Sequence, residues 1–228
     1  MLYRLLFLSL LIMPVQLSVA VSAVSNGYEN KATQNTHNQN KSTYSKKTFN
    51  ANSKLTLGNK KASLALIEFS DYQCAYCKRF AQNTFPGLKK KYIDTGKLLF
   101  IAKDFPLRSH VQATGAATAA RCAAEQGRYE DMRNALFNGA RYLSPTYYAT
   151  SANKLGLEQN TFEACMANRA IAMQINQDYQ EGRRQGVTGT PRFFIGRLEG
   201  DKVVDVISIT GSKPLAAFER AINNAALH

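Results

Sequence analysis

Histidine is scarce in this chain of 228 residues, which contains three: His37, His110 and His228. Cysteine is scarce too, with four residues, of which Cys122 and Cys165 lie far from the other two. A structural zinc site needs four ligands at short, regular spacings. Neither the scattered histidines nor Cys122 and Cys165 provide those spacings, so we expect no metal site. Nothing else in the sequence indicates a cofactor.

Acidic residues are also few: 16 Asp and Glu stand against 29 Lys and Arg, which gives a net charge of +13. The positive charge is spread along the chain and does not form a basic stripe with interleaved aromatic residues. Proteins that bind nucleic acid usually have such a stripe or a known binding motif, so we expect no nucleic-acid partner. The charge favours acidic partners or a membrane surface, or it reflects a generally basic composition.

No long apolar run follows the one at residues 5–20. This run follows Arg4, is interrupted by Pro14 and Gln16, and ends in small residues, the order typical of a secretory signal peptide. We therefore predict a signal peptide over 1–23 and a protein exported to the periplasm, the alternative being an uncleaved anchor. No cysteine lies near the predicted cleavage region to carry a lipid.

Apolar periodicity is missing from residues 24–54, which are rich in Asn, Ser, Thr, Gln and Lys. Such a composition cannot bury enough apolar surface to order itself. We predict a disordered polar linker here, the alternative being an arm that orders on a partner. The folded domain is predicted to span 55–228.

The pattern beyond residue 55 predicts an α/β fold with a helical insertion. A short apolar run at 64–69 suits a buried strand, a helix with Pro86 as a kink follows over 77–92, and a second strand covers 98–102. Residues from about 109 to 185 have persistent helical spacing. Strand patterns return at 191–195 and 203–209, and a last helix begins near Pro214.

The chemistry-bearing motif is Cys74-Ala75-Tyr76-Cys77, placed after the buried strand and at the start of a helix. A helix N-terminus stabilises a thiolate, so Cys74 is predicted to attack disulfides. Cys77, one turn later, can then attack the resulting mixed disulfide. Haem attachment is excluded because residue 78 is Lys and not His; a zinc site or a purely structural disulfide are the remaining alternatives.

Cys122 and Cys165 fall on two predicted helices, 43 positions apart. In an exported protein, a structural disulfide is the expected state, and the loop-entropy model gives it roughly 4 kcal/mol of stabilisation at most. The alternative is a second redox centre.

The segment from Ile67 to Cys77 resembles the active-site segment of the DsbA-like branch of the thioredoxin superfamily. The resemblance extends from about Gly58 to the end of the chain, in the same order and spacing. It includes Asp104-Phe105-Pro106, residues 120–127 with Met132 and Leu136-Phe137, residues 186–196, and Thr210-Gly211 with Phe218.

This resemblance implies a thioredoxin fold with a helical insertion and a protein thiol:disulfide oxidoreductase. It also implies that Thr190-Pro191 is a cis-proline loop facing the redox pair, where the backbone of Thr190 pairs with substrate. Glu68 would be a buried carboxylate that relays the proton of Cys77. The residues alone would favour an ordinary trans Pro191 and a solvent-exposed Glu68.

The dipeptide Ala75-Tyr76 departs from the Pro-His of the family's strongest oxidases and is closer to that of isomerase-like relatives. Those relatives also have Thr before the cis proline, but they dimerise through an N-terminal domain that we do not find. We therefore expect a monomeric oxidase of exported protein thiols, reoxidised by a membrane redox partner that is DsbB-like or equivalent. Tyr76 and Thr190 are the candidate substrate-binding residues.

Two alternatives remain for the function: an isomerase or reductase of the same compartment, and a surface binding protein that reuses the fold. We assign no role to His110 or to the tyrosines at 142, 147 and 148.

Overall fold

One mixed β-sheet forms the centre of the domain. The structure is a computed structural model, and it describes residues 44–227. The strands in this part are β1 (Tyr44–Ser45), β2 (Phe49–Asn50), β3 (Thr56–Leu57), β4 (Leu64–Ser70), β5 (Leu98–Asp104), β6 (Arg192–Glu199) and β7 (Lys202–Thr210). Their order is β1-β7-β6-β4-β5-β3, and β2 also pairs with β7. β4 and β5 are parallel, and the other pairs are antiparallel.

Helices cover both faces of the sheet. Helix α1 consists of four consecutive segments: Ala75–Arg79, Phe80–Thr84, Phe85–Leu88 and Lys89–Ile93. The others are α2 (Ala113–Glu125), α3 (Tyr129–Asn138), α4 (Pro145–Lys154), α5 (Gln159–Met166), α6 (Arg169–Arg184) and α7 (Leu215–Ala225). The thioredoxin fold is thereby confirmed, and helices α2 to α6 form its helical insertion.

Alternation along β4 divides the core into two halves. Leu64 and Leu66 belong to the cluster that includes α1 and most of the insertion. Ala65, Ile67 and Phe69 belong to a second cluster on the opposite face. Because side chains alternate along a strand, Glu68 lies on the face of Leu64 and Leu66, directed toward α1. This alternation places a carboxyl group beneath the redox helix.

Helix α1 begins at Ala75, two residues before the predicted start, and it continues past Pro86. The segments Phe80–Thr84 and Lys89–Ile93 have π-helical hydrogen bonding. Proline cannot donate a backbone hydrogen bond and crowds the preceding turn. The wider turn directly before Pro86 accommodates this defect, so the helix continues at the residue where we predicted a kink.

A disulfide and a buried ion cluster hold the helical insertion in place. Cys122 of α2 and Cys165 of α5 form a disulfide, with their Cα atoms 5.7 Å apart.

A buried ion cluster joins α2 and α6 to the end of β5. Arg121 pairs with Asp104 at 2.6 Å and with Asp178, while Lys103 lies 3.2 Å from Asp178 and 3.0 Å from Glu181. Burial is the main reason that the pKa of Asp104 is raised, to about 6. The cluster holds the insertion against the C-terminal end of β5, on the side of the redox site.

The chain between Tyr44 and Lys54 belongs to the fold, so the predicted linker is wrong for this stretch. Strands β1 and β2 both pair with the outer edge of β7, with Tyr44 opposite Ile207 and Phe49 opposite Val203. The Phe49 side chain is buried, with its ring 4.4 Å from that of Phe194. We call residues 44–54 the N-terminal arm. The rest of the predicted linker and the predicted signal peptide lie outside the described residues.

Replacement of Phe49 by alanine will lower the free energy of unfolding by about 3 kcal/mol, the lower end of the range for a buried phenylalanine. The lower end applies because a peripheral arm can detach locally before the domain unfolds. Urea unfolding followed by circular dichroism measures the loss. The exposed neighbour Asn52 provides the control, since Asn52→Ala will change stability by about 0.5 kcal/mol or less. Equal effects of the two substitutions would show that the arm does not contribute to the core.

Candidate active site

The two redox cysteines lie at the start of α1. Cys74 is the N-cap residue and is 5% exposed, whereas Cys77 lies in the first turn and is fully buried. Both are free thiols in this structure. The first turn of a helix has backbone N–H groups without helical partners, and these favour a negative charge. The fold thus places two buried cysteines side by side, with Cys74 the less buried of the two.

The pKa values of the two thiols move in opposite directions. The pKa of Cys74 is lowered to about 5, chiefly by a hydrogen bond from Cys77 and further by Thr190 and the backbone N–H groups of Cys77 and Tyr76, while burial opposes the shift. The pKa of Cys77 is raised well above its usual range, first by burial and then by the neighbouring Cys74. At neutral pH, these shifts favour a thiolate at Cys74 and a protonated thiol at Cys77, in agreement with the predicted roles of the two cysteines.

Alkylation of the reduced protein by iodoacetamide will follow this asymmetry. We expect the rate at Cys74 to rise through about pH 5, the pKa of its thiol, and to level off above it. An ordinary thiol, with a pKa of about 8.5, would still gain reactivity up to pH 9. Mass spectrometry of peptides from samples quenched at each pH will identify the modified cysteine. A rate that keeps climbing to pH 9, or modification mainly at Cys77, would contradict this assignment.

The cis-proline loop faces the redox pair. The Thr190–Pro191 peptide bond is cis, and the Cys74 thiol donates a hydrogen bond to the Thr190 carbonyl at 3.5 Å. The Pro191 carbonyl accepts a bond of 2.9 Å from the backbone N–H of Gly211. The Thr190 hydroxyl is buried and has no other partner in the described part of the chain, so its hydrogen can be donated to the Cys74 thiolate.

Glu68 lies beneath the redox pair and is fully buried. One carboxylate oxygen accepts a hydrogen bond of 3.0 Å from the Ser70 hydroxyl, and the other lies 3.1 Å from the Arg133 guanidinium. Burial raises the pKa of Glu68, and the nearby Arg133 only partly offsets that effect. Ser70 also hydrogen bonds to Cys77, where it moderates the raised pKa of the thiol. Ser70 therefore links the buried thiol to the buried carboxyl group.

Arg133, from α3, is the counter-ion of Glu68 and was not found by sequence reasoning. Its side chain is buried, and its guanidinium carbon lies 4.2 Å, 5.3 Å and 5.0 Å from the ring centroids of Phe85, Phe100 and Phe137. Such a cation gains from the aromatic faces as well as from its carboxylate. No local sequence signal marks it, because its partner is 65 positions away.

Asp71 and His110 support the loop that leads into Cys74. The buried Asp71 carboxylate accepts hydrogen bonds from the backbone of Gln73 at 2.7 Å and of Leu107 at 2.8 Å. Its second oxygen also lies 2.8 Å from Nδ1 of His110. We had assigned His110 no role, yet it joins the loop after β5 to the loop before α1. The position of Asp71 three residues before Cys74 was the available signal.

The predicted site residues divide into two groups. Cys74, Cys77, Glu68, Thr190 and Pro191 come together around the start of α1, and Tyr76 lies beside them with 56% of its surface exposed and the Arg79 guanidinium stacked on its ring at 5.1 Å. The Cys122–Cys165 disulfide is not part of this group, since it joins two helices of the insertion. The catalytic and substrate-binding roles themselves remain predictions.

A free thiol pair at a helix start, opposite a cis proline and above a buried carboxyl group, can carry out thiol–disulfide exchange. Comparison with known proteins agrees with this geometry: residues 50–223 match the family model described as thioredoxin. The structure also superposes on the crystal structure of Wolbachia pipientis alpha-DsbA1 with a TM-score of 0.67 and 30% identity, over 75% of this chain and 89% of that one. The chain is a DsbA-like member of the thioredoxin family.

Two further relatives show how far the DsbA-like similarity extends. A Rickettsia conorii protein, provisionally named as a protein-disulfide oxidoreductase, is 29% identical over 177 residues, which are 75% of this chain and 63% of that protein. A Na(+)/H(+) antiporter NhaA of Salinispora tropica is 30% identical over 154 residues, which are 66% of this chain and 23% of that protein. The chain thus spans less than two thirds of these relatives, and the similarity concerns the DsbA-like domain.

Proposed function

We propose that this DsbA-like protein is an exported thiol oxidase that introduces disulfides into newly exported proteins. The observation that carries the proposal is the pKa of Cys74, lowered to about 5. A stabilised thiolate stabilises the reduced enzyme, which makes the corresponding disulfide a strong oxidant. This effect arises without a histidine between the cysteines, because Cys77, Thr190 and the helix N-terminus supply the hydrogen bonds.

Oxidation proceeds in two exchanges. A substrate thiolate attacks the Sγ atom of Cys74 in the oxidised enzyme, so the Cys74–Cys77 bond breaks and the sulfur of Cys77 takes the electron pair. The second thiolate of the substrate then attacks the substrate sulfur of the mixed disulfide. Cys74 leaves as a thiolate, which is favourable because a low-pKa thiol is the better leaving group. If no second substrate thiol arrives, Cys77 resolves the mixed disulfide and releases the substrate unchanged.

The buried polar groups serve the first exchange. Cys77 is a poor leaving group as an anion because its pKa is raised, so it needs a proton as the disulfide opens. Glu68, whose pKa is also raised, supplies that proton through the Ser70 hydroxyl. Arg133 then neutralises the carboxylate until Glu68 is protonated again.

The cycle requires an oxidant, for which we propose a membrane redox partner of the DsbB-like type or an equivalent one. We also propose that the protein works as a monomer in the periplasm after removal of residues 1–23, which the composition of that segment supports. Within residues 44–227, no helix combines the length and the apolar character needed to cross a bilayer.

The reduction potential of the Cys74–Cys77 pair tests the direction of catalysis. The protein is equilibrated with glutathione buffers while the Cys122–Cys165 disulfide is left intact, and the oxidised fraction is measured by alkylation and mass spectrometry. We expect a potential closer to the about −120 mV of a strong oxidant than to the about −270 mV of thioredoxin. A value below about −200 mV would assign the protein to the reductases or isomerases.

An isomerase or reductase is the second candidate function. The dipeptide Ala75-Tyr76 and the threonine before the cis proline favour it, since both resemble the isomerase-like relatives. The same potential measurement distinguishes it from the oxidase.

A further inference from the structure

We infer that the groove beside the redox pair selects thiol substrates with acidic side chains next to the reacting cysteine. The inference deepens the proposed function, because it names the substrate class that the same site prefers.

Two cavities border the turn between β7 and α7, and we refer to them together as the groove. One, of 170 Å³, lies against the cis-proline loop and is lined by Thr190, Pro191, Arg192, Thr210 and Gly211 among others. The second, of 270 Å³, lies beside α1 and is lined by Arg79, Ser212, Lys213 and Leu215 among others. The turn between β7 and α7 contributes to both, with Gly211 in the first cavity and Ser212 and Lys213 in the second. Because the Cys74 thiol is hydrogen bonded to the carbonyl group of Thr190, the first cavity lies beside the reacting sulfur.

The charged residues that line the two cavities are all cations. Arg192 lines the first cavity, Arg79 and Lys213 line the second, and neither cavity is lined by Asp or Glu. Within residues 44–227, none of the three cations forms an ion pair. Their positive charge is therefore available to a partner.

Acidic side chains on the elements around the groove are already engaged. Asp71, in the loop before Cys74, lies 2.8 Å from His110. Glu219, on α7, is paired with Lys91 at 2.6 Å. Neither carboxylate is therefore free to neutralise the cations that line the groove.

Two of the cations are held in place. The Arg192 guanidinium donates to the hydroxyl groups of Ser208, at 3.0 Å, and Thr210, and it lies 5.4 Å from the Phe194 ring. Arg79 is stacked on Tyr76. A fixed cation loses little side-chain entropy when a carboxylate binds. The groove is thus preorganised for an anionic side chain.

Spacing along the chain gives the position of that side chain in the substrate. Arg192 follows Thr190 by two residues with the cis Thr190–Pro191 bond between them, so the two Cα atoms lie within roughly 7 Å of each other. A substrate strand paired with Thr190 would bring a carboxylate about two or three residues from its cysteine to this cation.

The test compares two peptides with one cysteine each, identical except for Asp or Lys at the second and third positions on both sides of the cysteine. Stopped-flow kinetics follow formation of the mixed disulfide with the oxidised protein. Each rate is divided by the rate of the same peptide with hydroxyethyl disulfide, because neighbouring charges also change the pKa of the peptide thiol. At low salt we expect the Asp peptide to react at least about tenfold faster, with the ratio approaching one at 0.5 M salt.

Variants locate the effect. Lys213→Glu will reduce the ratio about threefold or more, whereas Lys60→Glu, the same charge change at an exposed position before β4, will leave it unchanged. Equal rates for both peptides at low salt would overturn the inference while leaving the oxidase function standing. Failure of both peptides to react would refute the proposed function, and the inference with it. Binding of anionic phospholipid vesicles that Lys213→Glu abolishes, with equal peptide rates, would reassign the cations to a membrane surface.

Discussion

Replacement of Cys74 by serine will abolish thiol–disulfide exchange, with a loss of at least about a thousandfold in rate, a scale typical of removing a covalent nucleophile. A serine hydroxyl cannot form the disulfide that the reaction requires, and it is not ionised at neutral pH. The remaining thiol, Cys77, is fully buried and its pKa is raised, so it cannot take over. The measurement is the rate of oxidation of a dithiol peptide with oxidised glutathione as the terminal oxidant.

Cys77→Ser is the matched control for this experiment. This variant keeps the reactive Cys74 thiolate but lacks the resolving thiol. When it is given the symmetrical disulfide of a single-cysteine peptide, Cys74 displaces one peptide thiolate, and a stable mixed disulfide with the other peptide accumulates, visible by mass spectrometry. Retention of turnover in Cys74→Ser, or accumulation of the mixed disulfide on Cys77, would reverse the two roles. If both variants keep the biological activity of the protein, a binding protein that reuses the fold becomes the better explanation.

Replacement of Arg133 by methionine will lower the free energy of unfolding by about 4 kcal/mol at pH 8, because it leaves the Glu68 carboxylate buried without its counter-ion. Methionine fills a similar volume among Phe85, Phe100 and Phe137, so the lost charge and not a cavity dominates the effect. Urea unfolding measures the loss. Arg141→Met, at an exposed position on the loop after α3, is the control and will change stability by about 0.5 kcal/mol or less.

The loss in Arg133→Met will depend on pH. Burial already raises the pKa of Glu68 in the folded protein above its ordinary value of 4.5, so the folded state binds a proton more tightly than the unfolded state does. Stability from this group is therefore full below about pH 4.5 and falls as the pH rises through the folded-state pKa. Arg133 lowers that pKa, so in Arg133→Met the pKa of Glu68 is higher and stability keeps falling to a higher pH. The loss of stability relative to the unchanged protein will therefore be larger at pH 8 than at pH 5.

A double variant separates charge from packing. Glu68→Gln combined with Arg133→Met removes both charges. At pH 8, the free energy of unfolding of this double variant will exceed that of Arg133→Met alone by about 1 to 3 kcal/mol, the scale of the coupling between residues in contact. A deficit of less than about 1 kcal/mol for Arg133→Met at both pH values would contradict the buried ion pair.

The redox centre could be predicted because the residues that define it are close together in the sequence. An apolar run of six residues, a Cys-x-x-Cys motif and a following helical period occupy one continuous segment, and the structure places β4, Cys74 and α1 there. Family resemblance added Glu68 and the Thr190–Pro191 loop, neither of which the residues alone would have revealed. The local sequence pattern thus predicted Cys74 as the nucleophile, and the family resemblance predicted the groups around it, Glu68 and the Thr190–Pro191 loop.

The missed features all depend on pairing across long sequence distances. Arg133 belongs to a helix with ordinary amphipathic spacing, and only the packing of α3 against α1 brings it to Glu68. The N-terminal arm has the composition of a linker, and its order comes from backbone pairing with β7, more than 150 positions away, which depends little on side-chain composition. A single aromatic residue, Phe49, anchors it.

The arm also protects the sheet. β7 would otherwise present an unpaired row of backbone groups, which is a template for the addition of strands from other molecules. β1 and β2 occupy that row at residues 206–207 and 202–203. With the function proposed above, the protein would handle unfolded, strand-forming chains and would be exposed to this hazard more than most proteins. By covering the edge of β7, the arm would keep a client chain from pairing there and would favour its pairing at the cis-proline loop, beside Cys74.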